Sequence, residues 1–462
     1  MTDQTMATAQ AAGPAPSAAE IGAAHPERVA WMVLLVAFAC FCVLTIGIVF
    51  GVYQFLFQSA VALPVSLEVA KGTVGITGAD LIEAVERDQR NLTDTVTSIS
   101  TDALSQATIQ FHNLAEVDAQ TSLLAAVTLQ GNTVLTFDYA NTPRFDWSQL
   151  PQRIQFTRFR GSLDILVTGV GERSLQMDIY SDEPSGSGVH VQLLSKGRYR
   201  LSASEDELRL FSLSGRGTAR FLDEPSSPSS ARAGQELVMR LGSRSVIQQD
   251  RMQSVLTDPT FSLIEPADST AAPPSWECTV PPDQTPQGTY SLVEFEGRQG
   301  MRLRRVNNAR TNGEVRCTQV FPGGLDVSGF DTMRVLTTFS PENQSLSVCG
   351  SLASECILML RIDYRDIYGS HGSWLRGFYY AEDVTGAARK TCASCIQDHI
   401  HTKQAVWYTF DSDNLLNLIA EEIRPFLIDS VTFYASGHQF DIVVGEVILL
   451  VGNSTNNSGN GG

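Results

Sequence analysis

Residues 356–382 hold the pattern best suited to ligand chemistry. Leu358, Leu360, Ile362 and Tyr364 alternate with Arg361, Asp363 and Arg365, which gives a strand one apolar and one charged face. A turn centred on Gly369-Ser370 places Arg365 beside Trp374, Asp363 beside Arg376 and Arg361 beside Phe378, with Tyr380 beyond them. Flat aromatic rings next to fixed charged donors and acceptors suit a sugar, which offers C–H surface for stacking and hydroxyls for hydrogen bonds. The expected ligand-binding set is therefore Arg361, Asp363, Arg365, Trp374, Arg376 and Tyr380. The same pattern also fits an Asp363–Arg376 pair on a solvated face, with the aromatic residues turned into a core.

A second group is Cys392, Cys395, His399 and His401. These are soft ligands of the kind that hold zinc, but His-x-His is tighter than the spacing of structural zinc sites. A disulfide is the simpler expectation, with no metal and no cofactor. Cys278, Cys317, Cys349, Cys356, Cys392 and Cys395 all fall in the C-terminal part, and such a cluster in an exported chain reads as disulfides. Spacing favours Cys278–Cys317, Cys349–Cys356 and Cys392–Cys395 among the possible connectivities. Hydrolase, phosphate-loop and dinucleotide motifs are absent from the sequence. Asp363, Asp366, Glu382 and Asp383 could supply a carboxylate pair for glycoside hydrolysis. Binding without catalysis is the expectation, and a polysaccharide hydrolase the remote alternative.

Two kinds of element must carry these residues. Residues 29–57 are apolar throughout, and no charge occurs between Arg28 and Glu68. As a helix this run spans roughly 43 Å, against a hydrocarbon core of about 30 Å. Trp31 and Tyr53 lie where interfacial aromatic residues belong, and Arg28 before the helix places the N-terminus in the cytoplasm. Ala60-Val61-Ala62 resembles a signal-peptidase site, but the apolar run is about twice a signal h-region, so an uncleaved anchor is expected. Residues 1–28 form a disordered tail.

The rest of the chain alternates with period two. Residues 66–246 contain Ala107, Ile109 and Phe111, then Leu163, Ile165 and Val167, Leu175, Met177 and Ile179, and Val189, Val191 and Leu193. Gly131-Asn132 and Gly161-Ser162 read as turns, and residues 79–90 as the one helical stretch. Residues 257–275, rich in Pro, Ser, Thr and Ala, read as a linker. Residues 276–452 give nine strands: 290–296, 300–306, 314–321, 332–339, 356–366, 373–382, 406–411, 428–435 and 440–451. One helix at 413–422, capped by Asp413, accompanies them, and residues 453–462 form a flexible tail. The fold class expected is an all-β ectodomain: a single transmembrane helix, a first β domain, then a β-sandwich jelly roll with one short helix.

Several phrases of the first β region resemble the FecR-like extracytoplasmic domain of bacterial envelope proteins. They are DTVTSISTDALSQATIQF at 94–111, TVLTF at 133–137, FTRFRGSLDILV at 156–167, LSKGRYRL at 194–201 and AGQEL at 233–237. The resemblance implies envelope sensing. The cytoplasmic anti-sigma domain of that family is not carried over, because 28 residues before the helix are too few to form one. LDVSGFDTMRV at 325–335, IDSVTFY at 428–434 and FDIVVGEVIL at 440–449 resemble galactose-binding-like jelly rolls of the carbohydrate-binding-module class. That resemblance implies fold rather than ligand.

The net charge of −17, from 50 acidic and 33 basic residues, excludes nucleic acid as a partner. The partners expected are a membrane and either a glycan or an envelope protein. The function expected is a membrane-anchored, extracytoplasmic binding or sensing protein; the alternative is a structural or assembly component of the envelope.

Overall fold

The apolar run folds as one helix, α1 (Pro26–Tyr53), which continues into a π-helical turn at Gln54–Gln58. Proline at the first position needs no N–H bond there, and no charged side chain interrupts the helix beyond Arg28. Its large side chains, among them Trp31, Phe41 and Phe50, all point outward. The helix is long and apolar enough to cross a membrane. In this computed structural model the described residues are 26–78, 82–86, 89–92, 96–113, 122–169, 173–194, 196–224, 227–261, 275–306, 308–383, 386 and 388–453. The expected tails, 1–28 and 453–462, lie outside them apart from residues 26–28, which already belong to the helix, and Asn453, as does most of the expected linker.

Helix α1, the residues to Ala60 and the loop Pro143–Ser148 make one compact unit. Within it Phe145 stacks on Trp147 at 4.6 Å and meets Phe55 edge-on at 5.5 Å. Arg144 lies 5.6 Å over the Phe55 ring, and its backbone N–H donates to Ser59 O at 3.0 Å.

The second unit holds both β regions. The first is a closed barrel built around the long strand β1 (Gln152–Val167). The first half of β1 pairs with Val134–Pro143 and Leu175–Tyr180, and its second half with Leu123–Leu129 and Gly197–Ala203. Gly161, expected in a turn, is instead the bend inside β1. Its φ of +101° and an approach of 2.6 Å between a built Cβ and Asn132 O leave room only for glycine. Alternation along these strands puts Ile109, Phe111, Ile165, Met177 and Val191 in one core. The helix expected at 79–90 is not formed among the described residues. Ile82–Val85 is a strand paired with Val74–Gly78, burying Val85 and leaving Ile82 exposed, because so short an apolar run gains more from a ladder than from an isolated helical turn.

The second β region is a two-sheet sandwich. Its outer-sheet strands are β2 (Gly313–Asp326), β4 (Leu358–Arg365), β5 (His371–Tyr379) and β6 (Leu427–Gly437), in the order Glu277–Thr279, β2, β6, β4, β5, Ile400–His401. The other sheet centres on β3 (Thr332–Gln344) and β7 (Phe440–Gly452), with Arg298–Arg305 and Tyr408–Asp411 on either side. All nine expected strands are present. The helix expected at 413–422 shrinks to Leu415–Leu418 and a 3-10 turn at Glu421–Ile423, and its cap is Asn414, which accepts from Leu416 N–H. Leu415, Leu416 and Ile419 join the sandwich core with Trp276, Phe339, Trp374, Phe378 and Phe433. Met252–Ser254 already pairs with β7, and Phe261 is fully buried in the same core, so the chain enters the sandwich ahead of residue 276.

The two β regions pack against each other through buried polar groups. Arg200 bridges Asp164 of the barrel (2.8 Å) and Asp411 of the sandwich (2.5 Å), and Arg198 pairs with Glu446. Phe211 and Leu213 meet Met252, Leu336, Ile448 and Leu450 alongside them. Gly297, at φ +73°, lies so close to Leu123 that a Cβ would come within 2.3 Å of the Leu123 backbone nitrogen.

Candidate ligand-binding face

The hairpin β4–β5 closes in a register that differs from the expected one. Arg361 pairs with Leu375 rather than Phe378, Asp363 with Ser373 rather than Arg376, and Arg365 with His371 rather than Trp374. The cause is the turn. Asp366 accepts from Tyr368 N–H and Ser370 N–H, both at 2.8 Å, so the loop runs from Asp366 to Ser370 and Gly369 takes φ +80° within it. A shift of three residues is odd, and an odd shift sends side chains to the opposite face.

The expected strip is therefore split. Arg361, Asp363 and Arg365 stay on the outward face. Trp374 and Phe378 are buried in the sandwich core. Arg376 also points inward and lies 5.9 Å over the Phe410 ring; burial depresses its pKa. Tyr380 holds the chain rather than a ligand: its hydroxyl accepts from Gln344 N–H at 2.7 Å and its own N–H donates to Gln344 Oε1 at 2.9 Å.

The strands beside β4 complete the outward face. Antiparallel pairing sets Arg361 against Thr432, which faces Thr318, and sets Asp363 against Ser430. Arg361 Nε donates to Asp363 Oδ1 at 2.8 Å, and Ser430 Oγ donates to Asp363 Oδ2 at 3.2 Å. The Thr318 and Thr432 hydroxyls are 2.9 Å apart, and Arg316 is bonded to Glu314. Tyr434 lies in the next row between Arg316 and Met359. Burial, then the neighbouring Glu314, pushes its pKa up to about 12, so it stays a neutral phenol. Arg365 bonds Asp429 at 2.9 Å and Gly323 O at 3.0 Å. A partly buried ring flanked by anchored guanidinium, carboxylate and hydroxyl groups can stack on one side of a polar ring and fix its hydroxyls. Ser430, Thr432, Tyr434 and Arg316 were missing from the expected set. The alternation of residues 314–321 and 428–435 marks them as outward, but not which strands adjoin.

A disulfide-clasped loop borders this face. The bonds are Cys278–Cys317, Cys349–Cys356 and Cys392–Cys395, as spacing favoured. The last two flank a small core containing Met359, Leu375 and Tyr379, with Tyr434 packed on it. Of the zinc alternative, Cys392, Cys395 and His399 come together, their sulfur and ring-nitrogen atoms within 4.8 Å of one another. Cys392 and Cys395 are joined to each other, while His399 accepts from Gly377 N–H at 3.0 Å through Nδ1 and reaches Ala353 O at 2.7 Å through Nε2. Burial lowers the His399 pKa and keeps that ring neutral. His401 Nε2 lies 3.2 Å from Tyr380 O. Of the carboxylates, Asp366 is buried in its turn, Asp383 accepts from Ala388 N–H at 2.7 Å, and Glu382 is 3.4 Å from His401.

No family model matches the chain, and no curated protein matches it. Among solved structures, a candidate anti-sigma factor from Parabacteroides distasonis is 12% identical over 33% of this chain, at TM-score 0.21. The chain spans 59% of that protein's length. The family 11 carbohydrate-binding module from Clostridium thermocellum, in complex with a mixed-linked tetrasaccharide, is 14% identical over 39% of this chain and 91% of that one, at TM-score 0.23. TmCBM61, in complex with beta-1,4-galactotriose, is 10% identical over 43% and 97%, also at 0.23. Each likeness covers part of the chain, and the sugars named belong to those proteins.

Proposed function

We propose that this is a membrane-anchored binding protein, with α1 spanning the bilayer and two β domains, residues 66–246 and 276–452, on the far side. The outward face of the sandwich takes the ligand, a glycan. The observation that carries this reading is the grouping of Arg361, Asp363, Ser430, Thr432 and Tyr434 on one face, with Arg361, Asp363, Ser430 and Thr432 each held by a neighbour. Such pre-positioned groups lose little freedom when a sugar docks. Three disulfides support an oxidising compartment. The cluster of Phe55, Phe145, Trp147 and Arg144 supports a membrane: amphipathic aromatics and a cation suit the headgroup layer. The test is a glycan array with the full chain. Binding that is lost in Asp363→Ala and in Tyr434→Ala, with the fold intact, supports the face; binding unchanged in both overturns it.

The second reading is an envelope protein as partner. Ile367 and Tyr368, at the tip of the β4–β5 loop, are 68% and 81% exposed, an apolar tip suited to a protein surface. Blank arrays together with a crosslinked partner lost in a Tyr368→Ser chain would favour this reading. Hydrolysis is not favoured, because Asp363 and Asp366 are already committed to Arg361, Ser430 and the turn.

A further inference from the structure

The two β domains enclose a cavity of about 490 Å³, within the usual range of small-molecule sites. Part of its wall is apolar: Leu166, Val167 and Leu213 from the barrel, Ile448 and Leu450 from the sandwich. The rest carries an excess of positive charge. Lys196, Arg198 and Arg298 line it, against the single carboxylate of Glu446.

That carboxylate is already engaged. It pairs with Arg198 and accepts from Thr338 Oγ at 2.6 Å. Arg298 has no direct ion pair of this kind among the described residues, although Glu68 and Glu296 act on it through space. It is 8% exposed, its Cζ lies 4.8 Å over the Trp407 ring, and its Nε and Nη2 have no hydrogen-bond acceptor. The Nε of Arg198 is likewise unpartnered. Burial, then the neighbouring Arg198, lowers the Arg298 pKa to about 10 against the pull of Glu446, Glu68 and Glu296, yet none of these carboxylates accepts from its Nε or Nη2. Leaving donors of a buried guanidinium unmatched is costly in a folded protein.

We propose that this interdomain cavity binds a small amphipathic anion, its carboxylate held by Arg298 and Arg198 and its apolar body lying against Leu166, Leu213, Ile448 and Leu450. The site is separate from the outward face of the sandwich. A ligand held there touches both β domains at once, so its binding tightens their packing.

The experiment is calorimetric titration of the full chain in lipid nanodiscs with sodium 4-phenylbutyrate, using empty discs as blank. Saturable binding of one molecule per chain is expected. Neutral 4-phenylbutanol and acetate, which lack the charge and the apolar body respectively, should each bind at least about tenfold more weakly. Arg298→Gln should weaken 4-phenylbutyrate by at least about tenfold. Ser254→Trp, at an exposed position of the cavity lining, should fill the space and abolish binding. No saturable heat above the blank, equal binding of the alcohol, or undiminished binding in Ser254→Trp would each overturn the proposal. Should Arg298→Gln fail to fold, the alcohol comparison and the Ser254→Trp chain decide it.

Discussion

Gln106 reads the backbone of Thr409 as a neighbouring strand would. Its amide donates to Thr409 O at 2.9 Å and accepts from Thr409 N–H at 3.1 Å, and both groups are buried. One side chain of the barrel thus completes the ladder of a strand in the sandwich. With Arg200 between Asp164 and Asp411, it joins the two β domains energetically.

The first expectation follows from this joint. Urea should unfold both β domains of the full chain in one transition. Arg200→Ala leaves the buried Asp164 without its ion-pair partner and Asp411 with Arg334 alone, a loss of about 3–5 kcal/mol for a broken buried pair. Tryptophan fluorescence and far-UV dichroism should then report separate midpoints. Coincident midpoints at the native value would show that the joint carries no such energy.

A pH dependence follows from Glu68. Burial, and then repulsion from Glu296, raises its pKa from 4.5 to about 7, against the opposing pull of Arg298. Gln110 Nε2 donates to it at 3.0 Å, and Trp407 N–H and Glu342 also face it. The folded chain holds a proton that the unfolded chain has released over this range. Its contribution is therefore full below pH 4.5 and is lost as the pH rises through about 7. The loss is on the order of 3 kcal/mol at most. Urea midpoints between pH 4.5 and 8 should fall for the native chain and flatten for Glu68→Gln.

The two faces of the hairpin should separate by mutation. Trp374→Ala removes a fully buried ring and should cost about 3–5 kcal/mol in stability. Asp363→Ala lies on the outward face and should change stability by about 1 kcal/mol or less while removing glycan binding. Denaturation curves read beside glycan-array signals distinguish these outcomes.

Gly377 should tolerate no side chain. A Cβ there would meet Cys356 Sγ at 2.4 Å, His399 Nδ1 at 2.6 Å and Met359 Sδ at 2.7 Å. Gly377→Ala should cost about 1–3 kcal/mol and loosen the disulfide-clasped loop. Faster amide exchange in residues 388–399 would record it.

At the membrane side, Trp147 is 61% exposed on its unit and stacked on Phe145. Its emission should shift to the blue when the detergent-free chain is placed in vesicles, and Phe145→Ser should shrink that shift. Unchanged emission of the chain on addition of vesicles would remove the loop from the headgroup layer.

Much of the fold was legible because alternation is a local property. Leu358, Leu360 and Ile362 declare a strand and its buried side without reference to any neighbour. The candidate site was less legible because it depends on register. Gly369-Ser370 looks like a two-residue turn, whereas the carboxylate of Asp366 gathers a longer one, and that difference moved Trp374 from a ligand face to the core. Arg198, Arg200, Asp411 and Glu446 gave no signal either. In sequence each is an ordinary polar residue on an alternating strand, and only tertiary packing buries it against a partner from the other domain.

The joint at Gln106 and Gly297 also bears on how portable the sandwich is. Cut free of the barrel, it would present Leu336, Ile448 and Leu450 to solvent beside Glu446, which would lose its Arg198 partner, and Asp411, which would keep only Arg334. A sticky, partly charged wall of that kind invites self-association. The sandwich is therefore not an interchangeable module. Grafting it onto another protein would require rebuilding the surface that the barrel now covers.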